Sequence, residues 1–271
     1  MGSQSRFTHE EVEALRVGRF DLGISSSCIV YRLDDTVIDT GPPNQWAWVR
    51  RFLSERQVAQ VLITHHHEDH SGNGARLLRE TTARVFMPAE GSELVRRGFR
   101  LRAYQRVIWG SPDHFAPDVI TSELELRHGL RLRAIPTPGH SSDMTCFLEP
   151  NRGWLFAGDL YISSAPRFFR ADENVGEQIE SLRRVLALDF GTVLCAHRGV
   201  VLDGPAAIRR KLDYLVTLRD AARALRSNGL TIRAITRTLL GHEQMMSLLS
   251  FFNFSKRNLV RSCLAGDPSE V

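Results

Sequence analysis

Lysine is nearly missing from this chain of 271 residues: Lys211 and Lys256 are the only two, and the other strongly basic side chains are arginines. With a net charge of +4, that bias fits a GC-rich coding sequence as well as phosphate binding, so it is slight support for an anionic substrate. Cysteine is scarce too. Cys28, Cys146, Cys195 and Cys263 show no paired spacing, which argues against a disulfide framework or a structural zinc knuckle. Three of them lie in apolar, strand-like runs and read as buried thiols, and Cys195, two residues before His197, is given no role. No stretch offers the roughly 18 apolar residues of a membrane span. Met1 to Glu13 has no apolar signal core. The expectation is a cytoplasmic protein without a membrane partner. Charge runs, low-complexity tracts and internal repeats are also missing.

What is present is ordinary in amount, 42% hydrophobic and 24% charged residues, and unusual in placement. An apolar run from Val58 ends in Thr64-His65-His66-His67-Glu68-Asp69-His70-Ser71-Gly72. Imidazoles and carboxylates crowded at a strand end repel or desolvate one another unless a cation takes up their lone pairs. Side chains two apart on an extended chain share a face. His65 and His67 can therefore close on one ion while Asp69 and His70 close on another, leaving His66 and Glu68 pointing away and His66 tolerant of replacement. Three later apolar runs also end in ligand-type residues: Pro136-Thr137-Pro138-Gly139-His140-Ser141, Trp154-Leu155-Phe156-Ala157-Gly158-Asp159 and Val193-Leu194-Cys195-Ala196-His197.

The pattern His65-x-His67-x-Asp69-His70 resembles the signature of the metallo-β-lactamase superfamily. The three later segments resemble, in order, that family's Pro-Gly-His turn, its strand-Gly-Asp element and its last histidine, so the match runs from Phe20 to Gly199. The resemblance implies that His65, His67 and His140 hold one metal, that Asp69, His70 and His197 hold another, and that Asp159 bridges them. Nitrogen and oxygen ligands suit zinc, two ions per chain, and would also accept iron or manganese. The implied enzyme is a hydrolase whose nucleophile is a hydroxide between two ions about 3.5 Å apart, with Asp69 and Asp159 in catalytic positions. Tyr161, two residues past Asp159, is the nearest hydroxyl for an oxyanion contact or a proton donor. Asp39, in Asp39-Thr40-Gly41-Pro42, is open to two readings, a support for a ligand histidine or a turn cap.

In chain order, a meander opens at Val17 to Leu22, Cys28 to Leu33 and Asp35 to Asp39, followed by helices at Trp46 to Arg56 and Gly72 to Glu80. Glu90 to Val119 mixes aromatics with arginines and reads either as a lid or as a helical excursion packed on the scaffold. His114 and His128 fit no ligand pattern. Hairpins turning at His128-Gly129 and at Pro150 to Gly153 lead to His140 and Asp159, and a helix spans Gly176 to Leu188. Strands and a helix in each half indicate the α/β class. The expected architecture is a four-layer αβ/βα sandwich over residues 14–203, which the resemblance also implies, with an all-helical appendage over 204–266. Its helices are read at Pro205 to Ser227, Thr231 to Leu240 and Ser247 to Leu264. Met245, Met246, Leu248, Leu249, Phe251, Phe252 and Phe254 are too dense for a one-sided stripe and read as core in preference to a channel lining.

The favoured substrate is a small molecule with an ester-like carbonyl bond, a thioester or lactone with an apolar acyl part. The alternative is a phosphodiesterase or endoribonuclease, which would make nucleic acid the partner. Minor alternatives are a non-catalytic binding protein and a mononuclear iron persulfide dioxygenase. A homodimer is the default assembly.

Overall fold

The computed structural model describes residues 3–20, 26–126 and 129–265. The chain forms two compact units, one built from Met1–Pro136, Asp143–Ile162 and Asp189–Asp203, the other from Thr137–Ser142, Ser163–Leu188 and Gly204–Val271. Two segments that precede residue 204 thus belong with the C-terminal helices.

The first unit contains two sheets. One has β1 (Ser3–His9), β2 (Val12–Gly18), β3 (Cys28–Leu33), β4 (Thr36–Ile38), β5 (Gln60–Leu62), β6 (Arg84–Met87) and β7 (Asp118–Val119) in sequential order, antiparallel up to β4 and parallel from there on. The other is built from β8 (Glu123–Glu125), β9 (Arg131–Pro136), β10 (Thr145–Glu149) and β11 (Trp154–Gly158) and, after β12 (Phe169–Arg170) of the second unit, β13 (Thr192–Cys195) and β14 (Gly199–Val201). Helices α1 (Trp46–Leu53), α2 (Gly74–Glu80), α3 (Ala89–Arg97) and α4 (Ala103–Ile108) complete this unit.

Side-chain alternation explains the layering. Val12, Ala14, Ile29, Tyr31 and Leu33 share a core with Leu132, Phe147 and Phe156 of the second sheet. The residues between them, Leu15, Val17 and Val30, share another with Val49 and Phe52 of α1 and Leu77 of α2. A strand has a side-chain period of two, so a sheet covered on both faces must be apolar at consecutive positions. Arg32 is the exception on the helix side. It is only 1% exposed, and its guanidinium donates to the Phe52 carbonyl, lies 4.2 Å from the Phe52 ring and stands 3.5 Å from Glu13. A buried charge needs such partners.

In the second unit α5 (Val175–Leu186), α6 (Gly204–Ser227), α7 (Ile232–Leu240), α8 (Met245–Leu249) and α9 (Lys256–Leu264) accompany an antiparallel pairing of β12 with β15 (Phe254–Ser255). The α/β class is as read from the sequence.

Three details differ from that reading, and between the two readings of Glu90 to Val119 the structure has the packed excursion. The meander starts earlier, because Val12–Gly18 already alternates as a strand and ends at Gly18, while residues 21–25 and His128 lie outside the described residues. Within Glu90 to Val119 the chain forms α3 and α4 with Leu101, Trp109 and Phe115 buried, a packed helical excursion. The stretch Ser247 to Leu264 is not one helix. Phe251 and Phe252 turn the chain with φ of 52° and 59°, a left-handed conformation costing about 1–2 kcal/mol per residue, and the Ser255 side chain then caps α9 by accepting from Asn258 N. Finally, Met245, Leu248, Leu249 and Phe251 are 57–79% exposed and form no core. The buried residues of this stretch include Ser247, Ser250 and Asn253. Their polar groups are used in the tight turn: the Ser250 hydroxyl accepts from Phe254 N, the Ser247 hydroxyl donates to Glu243 Oε2, and the Asn253 carbonyl accepts from the Asn258 amide. No helix among the described residues is long and apolar enough to cross a membrane.

Candidate metal centre

The strands β4, β5, β11 and β13 deliver the polar residues of the centre at their C-terminal ends. β5 leads into the loop Ile63 to Asn73, β4 into Asp39, β11 into Asp159 and β13 into His197. Main-chain hydrogen bonds tie these ends together: Asp39 N to Leu62 O at 2.9 Å, Thr145 N to Thr64 O at 3.0 Å and Ala196 N to Gly158 O at 3.2 Å. Gly158 is required where β11 ends. It has φ of +45°, and a Cβ there would stand 2.4 Å from the Met144 methyl and 3.0 Å from Thr64 Cβ.

Six of the seven expected ligands belong to the first unit. His65 Nε2 and His67 Nδ1 point at one another at 2.9 Å. Asp159 Oδ1 lies 3.4 Å from His70 Nε2 and 3.2 Å from His197 Nε2, and Asp69 Oδ2 faces the same two nitrogens at 3.7 and 3.5 Å. All six residues are buried. His140 is placed in the second unit, at the turn after β9, with Glu173 Oε2 3.3 Å from its Nδ1.

Partners outside the His65–His67 pair orient several of these rings. Asp39 Oδ2 is 2.8 Å from His70 Nδ1 while Oδ1 accepts from Thr64 N at 2.8 Å, so of its two readings Asp39 is a support for the His70 imidazole; its φ of 62° shows that the backbone is bent to do so. Thr64 Oγ1 is 3.0 Å from His65 Nδ1. The Ser27 carbonyl is 2.6 Å from His197 Nδ1, which makes that nitrogen the protonated one and turns the lone pair of Nε2 toward the two aspartates. Burial lowers the His197 pKa but Asp159 and Asp69 outweigh it, and the net shift is upward. For His70 burial also lowers, and Cys28 with Asp39, Asp159 and Asp69 raises it well above 6.5. Because burial pushes the Cys28 thiol itself well up, that thiol is neutral near pH 7 and the carboxylates carry the effect.

His66 and Glu68 do point away, as expected from the alternation, yet they are engaged. Asp143 accepts from His66 N at 2.7 Å and lies 2.8 Å from its Nδ1, and Gln105 of α4 donates to Glu68 Oε1 at 2.8 Å. The same excursion sets Phe99 edge-on to His66 at 5.0 Å and Trp109 6.4 Å from His197. Tyr161 is buried, 4% exposed. Cys195 faces the turn, its sulfur accepting from His197 N and Arg198 N, and burial pushes its thiol up to about 11. Thr64, Ser27, Asp143, Gln105 and Glu173 were not legible as site residues. A threonine before the first histidine and an aspartate three residues after His140 were the available signals, and neither differs from an ordinary turn residue without the fold.

The donors fit a metal. His70 Nε2 is buried and makes no hydrogen bond among the described residues, though two carboxylate oxygens approach it, and neutral imidazoles with carboxylates are a borderline metal's preferred set. The fold is a two-sheet α/β sandwich that gathers such donors at its strand ends. A family model described as the metallo-beta-lactamase superfamily matches residues 21–197. Among curated relatives, the lactamase-like protein aptB of Emericella nidulans is 26% identical over 221 residues, 76% of this chain and 64% of that protein. The thioesterase pkgB of the same organism is 28% identical over 184 residues, 66% and 47%. A hydroxyacylglutathione hydrolase of Methylobacillus flagellatus is 28% identical over 201 residues, 72% and 70%. Among solved structures, a beta-lactamase domain protein from Burkholderia ambifaria has a TM-score of 0.71 at 18% identity, covering 98% of this chain and 90% of that one. The chain spans 47–64% of the length of the first five curated relatives it matches. It belongs to the metallo-beta-lactamase superfamily.

Proposed function

We propose that this chain is a dinuclear metal-dependent hydrolase of an ester-like carbonyl bond, with a thioester as the first substrate class and a lactone as the second. The observation that carries the reading is the convergence of His70, His197, Asp69 and Asp159 on one point beside the His65–His67 pair. His65 and His67 would contribute to holding one ion, Asp69, His70 and His197 would hold the other, with Asp159 shared. When bound, two zinc ions would acidify a water to serve as nucleophile and would polarise the scissile carbonyl.

The chain's own residues set the conditions for that chemistry. Asp39 and the Ser27 carbonyl hold the imidazoles of His70 and His197 in the tautomer whose Nε2 lone pair faces the site. Burial of Asp69 and Asp159 strengthens their pull on a cation, because the surrounding medium screens it less than water does. A thiolate leaves without help from a strong acid, and Tyr161 is the residue proposed to contact the oxyanion or the departing group. The carbonyl preference is supported by the relatives named as a thioesterase and a hydroxyacylglutathione hydrolase.

The deciding experiment compares turnover of a medium-chain acyl thioester with that of bis(p-nitrophenyl) phosphate by zinc-loaded protein, with Asp159→Ala as the blank. Faster thioester cleavage that disappears in the blank is the expected result. Preferential cleavage of the phosphodiester would overturn the carbonyl reading and put nucleic acid first.

A further inference from the structure

We infer that Asp143 is a positioning residue: it fixes the metal loop from behind by gripping His66, and through that grip it sets the affinity of the centre for its metal. The inference rests on the metal-centre reading above and extends it to a residue outside the ligand set.

The grip is two-pronged. One carboxylate oxygen accepts from His66 N at 2.7 Å and the other faces His66 Nδ1 at 2.8 Å, with the Asp143 side chain fully covered. On its other side, the His66 carbonyl accepts from the Ser71 hydroxyl at 2.7 Å. Both main-chain polar groups of His66 are therefore held, and its ring is held as well. His66 stands between His65 and His67 in the chain and its ring lies against that of His67 at 4.7 Å, so holding His66 holds both neighbours where their nitrogens meet at 2.9 Å. The Asp143 carboxylate is itself seated. Gly91 of α3 leaves room for it, since a Cβ at that position would lie 2.2 Å from Asp143 Oδ2. Thr145 binds the Asp143 carbonyl and, through its own N–H, the carbonyl of Thr64. A mere surface ion pair would need none of this enclosure.

Groups that orient metal ligands typically change metal affinity or activity by about 10- to 100-fold when removed. The same range is expected here although Asp143 touches no ligand side chain, because its partner lies between two of them in sequence. His66 is consequently not the neutral position that simple alternation suggests.

The test is zinc competition against a chromogenic chelator, on wild type, Asp143→Ala, Asp143→Asn, His66→Ala and the double variant, with near-ultraviolet circular dichroism reporting the fold. Asp143→Ala should bind zinc about 10- to 100-fold more weakly. Asp143→Asn, which keeps one oxygen for His66 N–H, should recover part of the loss. The Asp143→Ala effect should shrink in the His66→Ala background, since the two act as one unit. If Asp143→Ala does not fold, Gly91→Ala substitutes for it by displacing the carboxylate without deleting it, and should weaken zinc binding in the same direction. Folded Asp143→Ala or Gly91→Ala with wild-type zinc affinity would overturn the inference, as would strictly additive effects. Failure of the wild type to bind zinc would instead overturn the metal-centre reading, taking this inference with it.

Discussion

Replacing Asp39 by Asn isolates one proton as the determinant of metal affinity. Asp39 is 2% exposed, accepts from Thr64 N at 2.8 Å and Thr64 Oγ1 at 2.9 Å, and has its second oxygen 2.8 Å from His70 Nδ1. Asparagine has nearly the same volume and tolerates the left-handed φ of 62° found here. With its oxygen kept on Thr64, its NH2 meets His70 Nδ1, donor against donor, unless the imidazole moves its proton to Nε2. That is the nitrogen aimed at Asp159 and Asp69, and a protonated Nε2 has no lone pair for a metal. Turning the amide round sets its NH2 against Thr64 N–H instead. Either way one charge-assisted hydrogen bond worth about 1.5–3 kcal/mol is lost, which at 1.4 kcal/mol per decade is about a 10- to 150-fold loss of zinc affinity. Chelator competition at pH 7.5 reads this directly. Asp39→Ala should lose at least as much and also be less stable, by about 1 kcal/mol of left-handed strain. Unchanged zinc affinity in a folded Asp39→Asn protein would refute the reasoning, because nothing else in that substitution could offset the proton.

The raised pKa values of His70 and His197 make the metal-free protein sensitive to pH. Their contribution to stability is complete below the ordinary value of 6.5 and is lost as pH rises through the raised folded values. Zinc binding has the opposite slope, since the ion must displace those protons. Thermal unfolding of metal-free protein across this range should show the loss, and Asp159→Asn should flatten it; an unaltered profile in that variant would dismiss Asp159 as a cause. Gly158→Ala, with its Cβ 2.4 Å from the Met144 methyl, should cost about 2–4 kcal/mol in urea unfolding from overpacking and left-handed strain together; wild-type stability would mean that the end of β11 can relax. Leu249→Ser, at a position 60% exposed, should change stability by no more than about 0.5 kcal/mol, and a loss of 2 kcal/mol or more would restore the core reading of that stretch.

Sequence alone carried the candidate donors and their order, four imidazoles and two carboxylates from His65 to His70 followed by His140, Asp159 and His197, because residue type and order are local properties of the chain. It also carried the strands before Thr64, Asp159 and His197, since consecutive apolar residues bounded by turns record burial on both faces. Alternation correctly sent His66 and Glu68 outward. What it did not carry is what they meet there, because Asp143 and Gln105 lie 77 and 37 residues away along the chain and only folding makes them neighbours. The same holds for Asp39, whose turn and support readings were level until the parallel pairing of β4 with β5 set it beside Thr64 and His70. The segment from Met245 to Phe252 shows the reverse limit. Its composition predicts a core, but two left-handed phenylalanines and an inward set of serines and asparagine turn its apolar side chains to the surface. Hydrophobicity states a preference for burial, whereas the geometry of the turn decides which side chains obtain it.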